Sequence, residues 1–310
     1  MNKLAIIIPA YKGGFFEKTM QSLAEQTCKD FTVYIGIDAS PYDFETVINK
    51  YKTRLDLHVT RFSNNLGGKD LVAQWERCIS LSKGEEWLWL FSDDDYLSND
   101  CVNSVLQMIE HCQKSDLLHL NVSVVDETNT PVNNRFFKKE PFPSIMSAAD
   151  YIRKRLTFKL NSFVVEYIFS REVYNKYGGF TNIDLAWGSD DATWAKFSQK
   201  GQIITIPTGT VFWRCSDLNI SPDNKPEVIK RKIYASLTYI AQLKDIFGST
   251  IEKESRYFIL RRLANYSGAL TASHIKNVLS EFKVLYSLPF PSLFLQFVFF
   301  ILGISKKYLK

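Results

Sequence analysis

The chain has 310 residues, enough for one large α/β core with an appendage, since single hydrophobic cores stop growing near roughly 250 to 300 residues. Apolar residues make up 45% and charged residues 23%, which excludes a disordered or collagen-like chain. The net charge of +5 comes without any long block of like charges, so composition gives no reason to expect nucleic acid and leaves an anionic ligand or membrane surface open.

Met1 to Ala10 carries one lysine and a short apolar run closed by Pro9, too short for the core of a secretory signal, and a cytoplasmic body is expected. The five cysteines are scattered without a C-x-x-C pair and read as reduced packing residues. Leu4 to Ile8 is a continuous β-branched and apolar run, the pattern of a strand covered on both faces of a parallel sheet. Phe15 to Gln26 places Phe16, Met20, Leu23 and Ala24 near a helical period. A second strand follows over Phe31 to Ile37, ending at Asp38, then a helix over Thr46 to Tyr51, a strand over Leu55 to Phe62, a helix over Asp70 to Leu81 and a short strand over Trp87 to Phe91. This alternation implies right-handed crossovers and an open, mostly parallel sheet flanked by helices, with ligands beyond the carboxyl ends of the strands. Asp38 and the run Asp93, Asp94, Asp95 then gather along one edge.

Farther on, the pattern predicts a helix over Cys101 to Cys112, a strand over Leu117 to Val125, a polar loop through Asn134 and a helix over Ala148 to Leu156. Strands over Val164 to Ser170 and Gln202 to Ile206 flank a Gly-Gly turn and a helix. Beyond Glu227 the chain turns helical, with Ile229 to Phe247 and Ile251 to Leu270 as long segments, so residues 1–220 read as one unit and 221–310 as a helical extension. The apolar stretch Val284 to Ile304 is broken by Pro289 and Pro291. That leaves Ser292 to Ile304, about thirteen residues, where a spanning helix needs about twenty. Two readings stand: an interfacial anchor, with Lys306, Lys307 and Lys310 at anionic headgroups, or a helix docked on the core.

Three adjacent carboxylates after an apolar strand suppress one another's ionisation unless a cation or protons neutralise them. Mg²⁺ or Mn²⁺ does this with oxygen ligands while bridging substrate phosphates, which points to a diphosphate ligand. The plain alternative is a solvated acidic turn leading into the next helix. A second candidate is Trp187-Gly188-Ser189-Asp190-Asp191 at a helix start, where a carboxylate serves as a cap or as a general base for an acceptor hydroxyl. His58, His111, His119 and His274 are dispersed without metal-ligand spacing and read as packing or surface residues. Neither a Walker A pattern nor G-x-G-x-x-G occurs, which argues against phosphate-loop hydrolysis and hydride transfer.

Taken in order, Ile6-Ile7-Ile8-Pro9-Ala10-Tyr11, Ser22-Leu23-Ala24-Glu25-Gln26-Thr27, Ile37-Asp38-Ala39-Ser40, Asn64-Asn65-Leu66-Gly67-Gly68, Ser92-Asp93-Asp94-Asp95-Tyr96-Leu97, Gly178-Gly179-Phe180 and Gly188-Ser189-Asp190-Asp191 resemble family 2 glycosyltransferases with the GT-A fold, over roughly residues 3–217. The resemblance implies an inverting, metal-assisted transfer from a nucleotide-diphosphate sugar, with UDP favoured, to a saccharide or lipid-linked saccharide. It implies that Pro9, Ala10 and Tyr11 line the nucleotide pocket, that Asp38 accepts from the base, that Lys69 lies near the nucleotide and that Asp93 faces the ribose or the metal. Asp94 would be the principal metal ligand with Asp95 beside it, and Asp190 the base. Ser92 replaces the first acid of the family's Asp-x-Asp-Asp run, which leaves the register open by one place. Ser189 replaces the Glu of its Glu-Asp motif, which keeps Asp191 open as the base. Phe212-Trp213-Arg214-Cys215-Ser216 resembles the family's Arg-x-His segment without the histidine, so Arg214 is either a diphosphate contact or a surface charge. The Gln-x-x-Arg-Trp motif of processive synthases is absent, which favours single additions. A binding module that has lost catalysis, or a nucleotidyltransferase, is the alternative.

Overall fold

The computed structural model describes residues 2–111, 115–134, 137, 139–216, 223–287 and 290–301. The expected helix end at Cys112, the boundary at 220 and Lys306, Lys307 and Lys310 lie outside the described residues. Strands β1 (Leu4–Ala10), β2 (Phe31–Asp38), β3 (Asp56–Phe62) and β4 (Trp87–Leu90) alternate with helices α1 (Phe16–Ala24), α2 (Glu45–Tyr51) and α3 (Leu71–Ile79). All four strands run parallel in the order β3-β2-β1-β4, as the alternation predicts. β1 and β2 are buried almost throughout, which is why they read as unbroken apolar runs.

Past β4 the sheet becomes mixed. The short β5 (Tyr96–Leu97) leads into α4 (Cys101–His111), β6 (Leu117–Val125), the short β7 (Ile145–Met146) and α5 (Ala148–Leu156). After them come β8 (Tyr167–Ser170), α6 (Arg171–Tyr177), α7 (Ser189–Ser198) and β9 (Ile203–Arg214). The sheet continues β4-β8-β6-β9-β5, with β8 antiparallel to both neighbours, β6 and β9 parallel to each other, and β7 on β9. Two strands differ from expectation. Val164–Glu166 is a 3₁₀ turn because Glu166 reaches back to accept from the Phe163 amide at 3.2 Å, and β8 starts only at Tyr167. Conversely β9 runs on past Ile206 through Pro207 and Gly209, whose φ of +89° lets the strand bend where the register against β6 shifts between His119 and Asn121.

Helices α8 (Pro226–Phe247), α9 (Glu252–Tyr266), α10 (Ala272–Tyr286) and α11 (Phe290–Ile301) form the extension. One sheet face packs on α1, α2 and α4 through Phe16, Ile48 and Val102. The other carries a core that runs from Ala5 and Leu117 through Trp194 of α7 to Tyr239, Leu260, Phe282, Leu293 and Phe297, so the extension shares the core of the sheet. α11 docks through Leu293 and Phe297 and leaves Phe294, Leu295 and Ile301 about half exposed. No helix of the described residues is long and apolar enough to cross a membrane.

Candidate active site

β1, β2, β4 and β9 end at the same edge, and their terminal residues build the site. Just beyond β4, Asp93, Asp94 and Asp95 are all buried, with no more than 4% exposed. Each carboxylate has its own partner. Asp93 Oδ2 accepts the backbone amides of Tyr11 and Lys12 at 2.6 and 2.5 Å, so the turn after β1 is tied to the acidic run. Asp94 receives the Lys12 ammonium at 2.7 Å and the Ser92 hydroxyl. Asp95 points into the protein, where it accepts the Arg214 amide at 2.7 Å.

Burial, and then Asp94, push the Asp93 carboxyl up to about 7. The same two causes hold Asp95 well above the carboxylate range. Burial works against the Lys12 ammonium, but Asp94, Asp93 and Asp95 outweigh it and hold Lys12 above the ordinary lysine value. Three buried acids share one ammonium, that of Lys12, and remain short of positive charge, a donor set that suits a hard divalent ion. No cage of three or more His, Cys, Asp or Glu side chains occurs among the described residues, so such an ion would take Asp94 and complete its shell from phosphate and water.

Arg214 is not on a loop and not at the surface. It closes β9 and is 1% exposed. Its guanidinium donates to the Asp94 carbonyl at 2.9 Å, the Asp126 carbonyl at 2.8 Å and Asn129 Oδ1 at 2.8 Å, and lies over the Phe15 ring. A strand position buried beneath three aspartates explains why the residue is an arginine: only a planar cation with several donors satisfies these acceptors at once.

Pro9 and Ala10 end β1, and Tyr11 is 42% exposed beside them. Asp38 ends β2, where its two oxygens accept the amides of Leu66 and Gly67 at 2.8 and 2.7 Å and the Arg77 guanidinium. A carboxylate has about four acceptor positions, so these partners take three of them. Lys69 sits exposed at the end of the same 64–68 loop.

At the start of α7, Asp190 and Asp191 face different surroundings. Asp191 is 4% exposed and held bidentately by Arg155 Nε at 2.8 and 2.9 Å, with the Tyr151 hydroxyl donating at 2.5 Å. Asp190 is half-buried, and burial followed by the Asp191 charge pushes it up to about 7. Ser189, in the place of a Glu, is fully buried and accepts the Ile183 amide at 3.1 Å, which anchors the preceding loop. Gly188 has φ +84°, and a Cβ there would meet the Tyr239 ring at 3.0 Å. Leu185 and Ala186 also have positive φ, so strained backbone precedes the two acids. Cations crowd nearby. Burial first, then Arg261 and Arg155, hold Lys139 below the lysine range, and Arg262 is lowered by burial and by Arg155. Sequence reading missed Lys12, Arg77, Tyr151 and Arg155. Tyr151 and Arg155 stand four apart on one face of α5, but nothing local links that face to α7.

A mixed sheet with an acidic strand edge, flanked by helices on both faces, is the GT-A glycosyltransferase fold. A family model described as glycosyl transferase family 2 matches residues 5–178, more than half of the chain, and the chain belongs to that family. Among curated proteins it is 27% identical over 135 residues to the poly(ribitol-phosphate) beta-N-acetylglucosaminyltransferase TarS of Staphylococcus aureus, a match covering 42% of this chain and 23% of that relative's length. The crystal structure of S. aureus TarS 1–349 in complex with UDP-GlcNAc superposes with a TM-score of 0.59 at 16% identity, over 99% of this chain and 91% of that one. GalNAc-T7 with UDP, GalNAc and Mn²⁺ gives 0.58 at 11% identity, over 99% of this chain and 58% of that one.

Proposed function

We propose that this glycosyltransferase moves a sugar from a nucleoside-diphosphate donor, UDP-linked by preference, to a hydroxyl of a saccharide or polyol acceptor with inversion. The observation that carries the reading is a pair of unlike carboxylate groups: the buried Asp93 to Asp95 run beyond β4, and Asp190 at the start of α7, which burial and Asp191 push up to about 7. The structures with UDP-GlcNAc and with UDP, GalNAc and Mn²⁺ bound support the donor class by analogy of fold.

In this mechanism Pro9, Ala10 and Tyr11 bound the nucleotide, and Asp38 offers its free acceptor position to the base. Lys69, at the loop end, contributes positive charge. Asp93 orders the turn after β1 and meets the ribose, while Arg214 fixes the acidic run from beneath. Asp94 would hold a divalent ion, with Asp95 as its inward neighbour, and that ion would neutralise the diphosphate when bound. Asp190 takes the proton of the acceptor hydroxyl as its oxygen attacks the anomeric carbon opposite the leaving group. The bond from carbon to the diphosphate oxygen breaks, and its electron pair leaves with UDP, which inverts the centre. Asp191, locked by Arg155 and Tyr151, positions Asp190 and raises its proton affinity. The crowd of cations around Lys139, Arg155, Arg261 and Arg262 favours an acceptor that carries negative charge, as the name of the TarS relative describes for that protein.

Product configuration by NMR tests the proposal, with a retained anomer as the refuting result. UDP binding without turnover of any UDP-sugar would favour a module that has lost catalysis. We also propose that the exposed face of α11 rests on the inner face of the plasma membrane, because Phe294, Leu295 and Ile301 project away from the docked Leu293 and Phe297.

A further inference from the structure

A cavity of about 570 Å³ lies on the α5 side of β6, walled by His119, Asn121, Phe142, Asn161, Phe163 and Glu166 among others. We propose that it binds a polyhydroxylated unit of the acceptor, a pyranose ring or an open-chain polyol, and so holds the acceptor at a second point beside the reacting hydroxyl. The inference rests on the transferase reading above.

Position supports it first. The cavity contains neither group of carboxylates, yet its walls join both. Val124 and Val125 of β6 pair with Trp213 and Arg214 of β9, and Arg214 holds the Asp94 carbonyl. On the opposite wall, the Leu160 carbonyl accepts from Arg155 at 2.6 Å, and the Ser162 hydroxyl lies 2.9 Å from the Tyr151 hydroxyl. Arg155 and Tyr151 are the two groups that hold Asp191. Hydrogen bonds thus tie the cavity wall to the groups that hold Asp191, the neighbour of Asp190.

The second support is an unfilled valence. His119 is 3% exposed and lies flat against Phe142, with ring centroids 3.7 Å apart, and its Nε2 faces Glu166 at 3.6 Å. Its Nδ1 is buried with no hydrogen-bond partner among the described residues. Buried polar atoms are almost always paired, so this atom beside the cavity wall lacks the partner that its burial calls for. The remaining chemistry suits the same ligand. Asn161 spends one N–H on the Phe137 carbonyl at 3.0 Å and keeps its carbonyl for a ligand hydroxyl. Phe163 stacks on Trp213 at 4.1 Å, a rigid apolar surface for the C–H face of a ring. The amides and flat rings of this cleft suit hydroxyl groups and ring faces, and Lys139 on the same lining admits a negatively charged substituent beside them.

The test is a saturation-transfer NMR titration of chitotriose and of ribitol into the full chain saturated with UDP, on wild type, Asn161→Leu and His119→Phe. We expect one probe to bind wild type and to bind both variants at least tenfold more weakly, with UDP affinity unchanged as the control for folding. Chitotriose alone would assign a pyranose and ribitol alone a polyol. Binding of neither probe to a UDP-loaded wild type, or equal binding by Asn161→Leu, overturns the inference. Failure of wild type to bind UDP would instead sink the transferase reading, and this inference with it.

Discussion

Asp190 and Asp191 are adjacent in sequence and opposite in circumstance, and that contrast decides between them as the proposed base. Asp191 has its oxygens committed to Arg155 and Tyr151, whereas Asp190 has burial and a like charge for neighbours. A base works in its deprotonated form, so kcat/KM should rise with pH through about 7 and level off above it. Asp190→Asn should lower kcat by about 10²- to 10⁴-fold with UDP affinity intact and remove that pH dependence. Arg214 makes the second residue-scale case. Replacing it with Met strands three acceptors, the Asp94 and Asp126 carbonyls and Asn129 Oδ1, and urea unfolding should show a loss of about 3 kcal/mol. An unchanged midpoint would show that the Arg214 side chain does not hold the acidic run in place.

At the scale of elements, the parallel half of the sheet was legible because each strand there is a buried run and each connection a helix of ordinary period. β1 and β2 differ from expectation only at their ends. The mixed half was less legible. β5 and β7 are two residues each, too short for any periodicity, and β9 continues past Pro207 and Gly209, residues that signal a break in isolation. The acidic run and the Asp190-Asp191 pair could be placed at strand and helix ends from local pattern. What holds them could not, since Lys12, Arg155, Tyr151 and the buried seat of Arg214 depend on pairings 36 to 120 residues apart. The loop before α7 gives a prediction at this scale. Gly188→Ala places a methyl at positive φ against the Tyr239 ring, and thermal denaturation should register a loss of about 1–3 kcal/mol. Wild-type stability in that variant would mean the loop is not tightly seated on α8.

For the whole molecule, the core that passes from the sheet through α7 into α8 to α11 means that the extension does not stand apart. Calorimetry should therefore show one cooperative unfolding transition, and two separated transitions would speak for an independent unit. The exposed side of α11 is a different matter. Leu295→Ser with Ile301→Ser removes half-exposed apolar surface, so solubility and melting should hold while sedimentation with anionic phosphatidylglycerol vesicles falls. Equal sedimentation of variant and wild type would remove the membrane contact from the account.

The central claim is that the acidic edge at the end of β4 is a donor site that uses a divalent ion through Asp94. Calorimetric titration of UDP into wild type and Asp94→Ala, with Mn²⁺ and then with EDTA, tests it most directly. UDP binding should require the metal and weaken at least tenfold in the variant; binding indifferent to both EDTA and the substitution, or no binding at all, would rule out a metal-dependent donor site at Asp94.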